Sequence, residues 1–530
     1  VVYGPGAGRH SFTAMNFVGR DDPGNSMRTN ASGIGTRAFA RRGSEWLPVT
    51  TIRPTGFPSQ SLQPWPVGLG GYEALDFVLI DWPDGIFQTE VRGVSASPGS
   101  PPRSFASGEV EHIAETQRQV SSCPVIFAWD GDTYVFVSDL LGVGGMGYLL
   151  APGAYAEPRP WEHFMLPQGL PVPRDGRLVI KLVEPMEEAT YMDHVAMVAY
   201  DLPPGWSMVL DERMGTGEPS PTGQPFFYRE ERRPVSAIVD GRDVLHEVLY
   251  SDLRAVPPGE LDHRFMGRLA EPLVLELEFA HPIDDVHGRP VLMIDGWVEY
   301  AYSQTMFAAW QAGAEYESLS VEARTAGGEW VMVLERFGYP AGMPRRMSVP
   351  LPMLPAGTTG LRLTTNQEVY LDRVSVVFAE DLDEVIRHSC PLVSAHLSIV
   401  GFPRRTDGPQ RQPHYDYDDR TPFWDVRYQR GWYTREGAVT PLLERRDDAV
   451  AIFGPGEELH LEFLAPDVQP PEEWTRVYVL EAFGWCKDMD LFTRDGETIE
   501  PLPMVGSDSE HRRRLHREFN TRFESGRSHR

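Results

Sequence analysis

The chain is predicted to be all-β, built from several consecutive β-sandwich or jelly-roll-like modules with few short helices. Three observations predict this. Its 530 residues include 50 glycines and 47 prolines, which fall between short runs rich in Val, Leu, Ile, Phe, Tyr and Trp. Strict alternation runs through Leu273-Val-Leu-Glu-Leu-Glu-Phe279 and Leu459-His-Leu-Glu-Phe463, which puts every second side chain on one face. Long amphipathic helical patterns are scarce, 382–387 being a short candidate.

A chain of this length exceeds one hydrophobic core, since a domain holds roughly 100–200 residues. Four modules and a tail are expected. The first, 1–119, has a buried strand over 74–80, closed by a Pro83-Asp-Gly85 turn. It continues through the loop Ser95-Ala-Ser-Pro-Gly-Ser-Pro-Pro102 to a last strand near 109–119. The second, 120–260, opens with two strands in 123–137 joined by a Trp129-Asp-Gly-Asp132 hairpin turn and ends in a linker at 257–260. The third, 261–382, has the strand spacing of a sandwich, with strands near 290–297, 330–334 and 369–378. Its outline is similar to galactose-binding-like jelly rolls. A fourth β-module covers 383–510, followed by an Arg-rich tail, 511–530, and no internal repeat is evident.

An ordered set of motifs near the start is Gly33-Ile-Gly-Thr-Arg37, Ser61-Leu-Gln63, Val67-Gly-Leu-Gly-Gly71 and Asp81-Trp-Pro-Asp-Gly85. Together they resemble the ASPIC/UnbV module, which in its family follows FG-GAP propeller repeats in secreted or envelope-exposed bacterial proteins. Later blocks resemble the region that follows this module: Ser122-Cys-Pro124, Ala128-Trp-Asp-Gly131, Glu184-Pro-Met-Glu-Glu188, Gly296-Trp297, Thr364-Thr-Asn366, Gly484-Trp-Cys-Lys-Asp-Met-Asp490, Ile499-Glu-Pro-Leu-Pro503 and Asn520-Thr-Arg522. The resemblance implies an exported protein, periplasmic, cell-surface or extracellular, and carries no catalytic residues. Asp-x-Asp-Gly-Asp-Gly repeats do not occur in this sequence, so the propeller part is expected to be removed by processing or encoded separately. The chain opens at Val1 without a charged-then-apolar leader, which suits either a processed protein or a fragment.

A net charge of −27 opposes general binding to a phosphate backbone, and no apolar run approaches the ~18 residues of a membrane span. Lys181 and Lys487 are the only lysines, so the positive charge is nearly all arginine, which fits either interface ion pairs or arginine-rich codon usage. Cys123, Cys390 and Cys486 allow at most one internal disulfide, lack zinc-ligand spacing and read as small buried apolar residues.

His-Glu-x-x-His, Gly-x-Ser-x-Gly, Cys-x-x-Cys and P-loop motifs are absent from the sequence. Gly142-Val-Gly-Gly-Met-Gly147 has the spacing of a dinucleotide loop, but no helix follows it, and a plain glycine-rich loop is expected. Asp488, Asp490 and Asp495, with Glu497, gather hard oxygen ligands suited to calcium, or form a solvated acidic turn offset by Lys487 and Arg494. Otherwise no cofactor is expected. His414-Tyr-Asp-Tyr-Asp-Asp419 with Trp424, Tyr428, Trp432 and Tyr433 suits a sugar-stacking shelf or a partner-contact loop. Arg512, Arg513, Arg514 and Arg517 open a basic tail that docks either on the chain's own acidic surface or on a neighbouring subunit. The expected function is a non-enzymatic interaction or scaffold subunit of an envelope or extracellular assembly, whose partners are other protein subunits. Carbohydrate binding is one alternative. A carboxylate-dependent hydrolase is another, and it requires two carboxylates ~5–10 Å apart in a deep cleft.

Overall fold

Alternating side chains and turn glycines produce strands along the whole chain, arranged in several separate sheets. The computed structural model describes residues 10–19, 29–52, 64–83, 87–94, 101–115, 124–215, 219–284, 288–299, 301–421 and 428–526. The described residues include three α-helices, Leu245–Leu249, Ser303–Ala312 and Glu510–Phe519. Residues 382–387 are not helical; they lead into the strand Ile386–Cys390. Two compact units divide the chain: Val1–Gln119, and Val120–Thr421 with Tyr428–Arg530.

In the first unit, four strands run in the order Glu45–Thr50, Arg37–Arg42, Phe77–Asp81, Phe87–Val91. A second sheet places Phe12–Val18 between Trp65–Gly68 and Val110–Ala114, the latter pairing in parallel. Met15, Phe17, Ala38, Ala40, Val78, Ile80 and Ile113 from both sheets share one core. The ordered motifs have structural work here. Arg37 lies opposite Asp81 in the ladder and pairs with it. Gly33 takes φ +59° where a β-carbon would overlap the Phe17 carbonyl. Trp82 is buried edge-on against Phe17 and donates to Gln88 at 2.8 Å. Of the expected closing strand, 110–114 is extended, and Ser61-Leu-Gln63 lies outside the described residues.

The second unit contains two sandwiches that do not follow the expected boundaries at 260 and 382. The outer sandwich combines a sheet ordered Gly437–Ala438, Leu392–Ile399, Glu457–Leu464, Arg177–Val183, Val125–Trp129, Tyr134–Asp139 with a facing sheet, Trp161–Met165, Thr475–Asp488, Glu188–Leu202, Ile386–Cys390. Ile180, Leu182, Leu459 and Leu461 from one sheet meet Met197, Ala199, Leu480 and Ala482 from the other in a single core. Strands from the expected second and fourth modules thus interleave, because Glu188–Leu202 and Thr475–Asp488 pair along their whole length. Short-range alternation marks each strand but carries no information about which distant strand is its partner.

Between these halves sits an inserted sandwich running from Ser207–Leu210 to Gly360–Glu380. Gly360–Glu380 serves both of its layers. Residues 360–367 pair with Arg268–Glu278 and 368–379 with Arg289–Glu299, so one strand turns the corner between sheets. Leu275, Leu277, Leu292, Ile294, Leu361, Leu363, Val374 and Val376 fill the shared core. The expected linker at 257–260 is part of this sandwich; Ala270 N donates to Glu260 O at 2.9 Å.

The Arg-rich tail is folded against its own chain as a capped helix and a strand. Ser509 Oγ accepts from Arg512 N at 3.1 Å and caps the helix Glu510–Phe519, whose Leu515 and Phe519 are buried in the outer core. Arg522–Glu524 then pairs with Gly431–Tyr433. The physical reason is the i, i+4 spacing of two apolar residues within an arginine-rich stretch, a narrow apolar stripe on a charged helix.

Candidate interaction surface

The C-terminal ribbon sorts its side chains by the period of two. Tyr433 and Arg522 point inward, while Trp432 and Phe523, directly opposite each other, point outward. Trp432 is 54% exposed and Phe523 52%, and their rings lie 5.1 Å apart. This is a paired aromatic surface on a fixed backbone. Tyr433, a candidate contact residue, is fully buried beside Tyr191, Phe483 and Trp485 and is not available to a partner. Trp424 lies outside the described residues.

Behind the ribbon, Arg522 reaches Glu457, whose side chain is fully buried, at 2.5 Å and sits over the rings of Tyr428 and Tyr433, 5.4 Å from each. Burial pulls the guanidinium pKa down, but Glu457 more than offsets this and raises it overall. Asn520 extends the anchor, its Oδ1 accepting from Thr434 Oγ1 at 2.6 Å and its Nδ2 donating to Val450 O at 3.3 Å. The Asn520-Thr-Arg522 block is therefore a structural latch.

The helix arginines divide into two kinds. Arg512 is largely buried and donates from Nε to Asp448 O at 2.8 Å. Arg513, Arg514 and Arg517 are more than half exposed and pair with the helix's own acids, Arg513 and Arg517 with Glu510 and Arg514 with Glu518. These arginines dock on their own chain, yet three of them still present charge to solvent.

The acidic turn is held by its own donors. Asp488 Oδ1 accepts from Asp490 N at 3.0 Å and from Thr493 Oγ1, while Asp490 Oδ1 accepts from Phe492 N at 2.9 Å and Gln304 N at 3.1 Å. Asp495 takes a left-handed backbone, φ 56°, and does not join these carboxylates at a common point. Among the described residues no three His, Cys, Asp or Glu side chains converge as metal ligands. The neighbouring Gly484-Trp-Cys-Lys-Asp block packs tightly against the Gly142–Gly147 loop. Met146 N donates to Cys486 O at 2.8 Å, and a β-carbon on Gly144 would lie 2.8 Å from Gly484 O. Close approach of backbones accounts for Gly144, and for Gly147, where a β-carbon would lie 2.6 Å from Arg494 O.

The aromatic-acid hairpin Phe402–Asp407 and Pro413–Thr421 also turns inward. Tyr415 and Tyr417 pack on Phe127, Tyr134 and Phe136, and Lys181 sits over the rings of Tyr134 and Tyr417 while pairing with Glu458 at 2.7 Å. Cys390 and Cys486 are free buried thiols; burial pushes Cys390 up to about 11 and Cys486 well above its ordinary range. Cys123 lies outside the described residues.

A cleft between the outer and inserted sandwiches is the feature sequence reading missed. Its volume is about 520 Å³, and its walls come from residues as far apart as Val137 and Val477. Ion pairs join the two sandwiches beside it, with Arg345 and Glu212 among its lining residues. Glu162 of the outer sandwich pairs with Arg345 of the inserted one, and Arg159 bonds Glu212 at 2.7 Å. Arg345 also lies 4.8 Å from the Phe164 ring centre. Asp295 takes Arg346 at 2.7 and 3.1 Å and Arg373 at 3.0 Å, and these arginines hold its carboxyl below the usual range against the opposing effect of burial. The adjacent pair Arg345-Arg346 at a strand start was the available signal.

Compared with known proteins, the chain matches no protein-family model and no curated protein.

Proposed function

We propose that this chain is a non-enzymatic interaction subunit of the ASPIC/UnbV kind, exported and working in a cell-envelope or extracellular protein assembly. The observation that carries the reading is the Trp432–Phe523 pair, two large aromatics more than half exposed and opposed on one ribbon. Exposed Trp on a rigid, pre-ordered backbone is what binding hot spots are made of, since little side-chain entropy remains to be lost on association. Arg522 and Asn520 supply that rigidity from beneath. Arg513, Arg514 and Arg517 of the same segment favour a protein partner with an acidic margin. Export rests on the motif resemblance alone. Hydrolysis has less support, because Asp295 and Glu212 in the cleft between the two sandwiches are each bound to arginine.

Native mass determination of the complex from its own cells, at low and high salt, tests this. A partner that is retained by the wild type and lost in Trp432→Ala supports it, provided melting is unchanged. A lone monomer at both salts rejects it. Glycan-array binding abolished by Trp432→Ala would instead make the aromatic pair a carbohydrate shelf. Cell fractionation checks the export.

A further inference from the structure

We propose that the cleft between the two sandwiches is a binding site for a neutral sugar, whose hydroxyls meet pre-neutralised guanidinium–carboxylate pairs while its C–H face packs on an aromatic wall. The site is independent of the Trp432–Phe523 surface. Its volume of about 520 Å³ lies within the roughly 300–1,000 Å³ of small-molecule sites.

The chemistry of the walls selects the ligand class. An anion entering the cleft would find Arg345 already paired with Glu162 and Arg346 already held in a two-bond fork by Asp295. A cation would find Asp295 shared between Arg346 and Arg373, Glu212 taken by Arg159, and Asp372, the third carboxylate of the lining, accepting from the Arg254 amide at 3.0 Å. Displacing a buried partner leaves an uncompensated charge, which is far costlier than an unmade neutral hydrogen bond. A wholly apolar ligand would cover these pairs and strand their remaining hydrogen-bonding capacity. A guanidinium has five N–H donors and a carboxylate about four acceptor positions, so each pair keeps donors and acceptors side by side after neutralisation. A hydroxyl, which both donates and accepts, fits that mixture.

The other walls agree. Phe164, Trp206 and Tyr228 bring aromatic surface to the cleft, and burial pushes the Tyr228 hydroxyl pKa up, which keeps it a neutral donor. Gln168, Ser207 and Ser251 line the cleft as exposed, neutral, hydrogen-bonding side chains, with half-buried Thr475 beside them. The walls thus offer neutral hydrogen-bonding side chains beside the Asp372 carboxylate, which accepts from the Arg254 amide at 3.0 Å. Residues from both sandwiches contribute, so a ring seated there touches both.

The test uses the full chain and saturation-transfer NMR with glucose, galactose, mannose, xylose and N-acetylglucosamine at millimolar concentration, beside glucuronate, inorganic phosphate and cyclohexanol. At least one neutral sugar is expected to bind saturably. Ser251→Trp, placed to fill the cleft, is expected to weaken that binding by about tenfold or more. Gln168→Ala, at an exposed position, gives a smaller loss without disturbing the fold, and Trp432→Ala gives none. Absence of binding by all five neutral sugars overturns the proposal. So does binding that Ser251→Trp leaves intact while its melting stays native, or tighter cleft binding of glucuronate, phosphate or cyclohexanol.

Discussion

Lys181 and Lys487 are both interior, at 9% and 2% exposure. Each is a caged ammonium: Lys181 lies between two tyrosine rings and Glu458, while Lys487 donates to the Thr498 and Glu500 carbonyls at 2.9 and 3.0 Å. Burial pushes Lys487 down to about 8. An amine-selective acylating reagent should therefore leave both side chains unmodified in the native protein and label both after denaturation, as read by peptide mass spectrometry. Arg522 gives a second expectation. Arg522→Ala strands Glu457 in the core and should cost about 3–5 kcal/mol in chemical unfolding. Asp193 gives the pH dependence. It stands at the bulge in Glu188–Leu202, its Oδ2 has no hydrogen-bond partner, and burial, with Asp447 and Asp448 nearby, pushes it up to about 7. The folded state thus keeps a proton that the unfolded chain releases near 3.8, so Asp193 contributes stability at low pH that is lost as pH rises through about 7. Asp193→Asn should flatten the decline in melting temperature over that window.

The C-terminal helix and ribbon show what a single sequence reveals of an element and what it hides. Phe519→Ala should cost about 3–5 kcal/mol and expose the segment after 509 to limited proteolysis, because Phe519 is 5% exposed in the outer core. Trp432→Ala and Phe523→Ala should change stability by less than about 1 kcal/mol, since both rings face water. The alternating runs around Leu275 and Leu461 were legible because period two is a local property, and Arg268–Glu278 and Glu457–Leu464 carry them. The Trp129-Asp-Gly-Asp132 turn was legible too, since Asp130 Oδ1 accepts from the Asp132 and Thr133 amides at 2.8 Å. The tail was not. Seven arginines mask the Leu515 and Phe519 stripe, and nothing local shows that Arg522 has a carboxylate waiting at Glu457. Tyr433 looked like surface beside Trp432 for the same reason: the facing direction of a strand is set by partners remote in sequence.

Across the second unit, the two sandwiches are joined by paired charges as well as by two chain crossings. Glu162→Ala should leave Arg345 unpaired and separate calorimetric melting into two transitions, while Glu162→Met with Arg345→Met should restore much of the loss. The cleft beside these pairs could not be read from the sequence, because its walls converge only when residues more than three hundred positions apart are brought together. The same interleaving fixes an order of events in time. The strand Glu188–Leu202 is made long before its ladder partner Thr475–Asp488, and at about 5–20 residues per second the interval is roughly half a minute. Once Glu380 is made, the inserted sandwich has all its own strands and can close, while the outer sandwich still holds an apolar, unpaired edge open to whatever is near. The newborn chain is thus most exposed to misassociation before Thr475–Asp488 is made, and an early stop within that strand would leave a finished inner domain carrying an adhesive, half-built outer one.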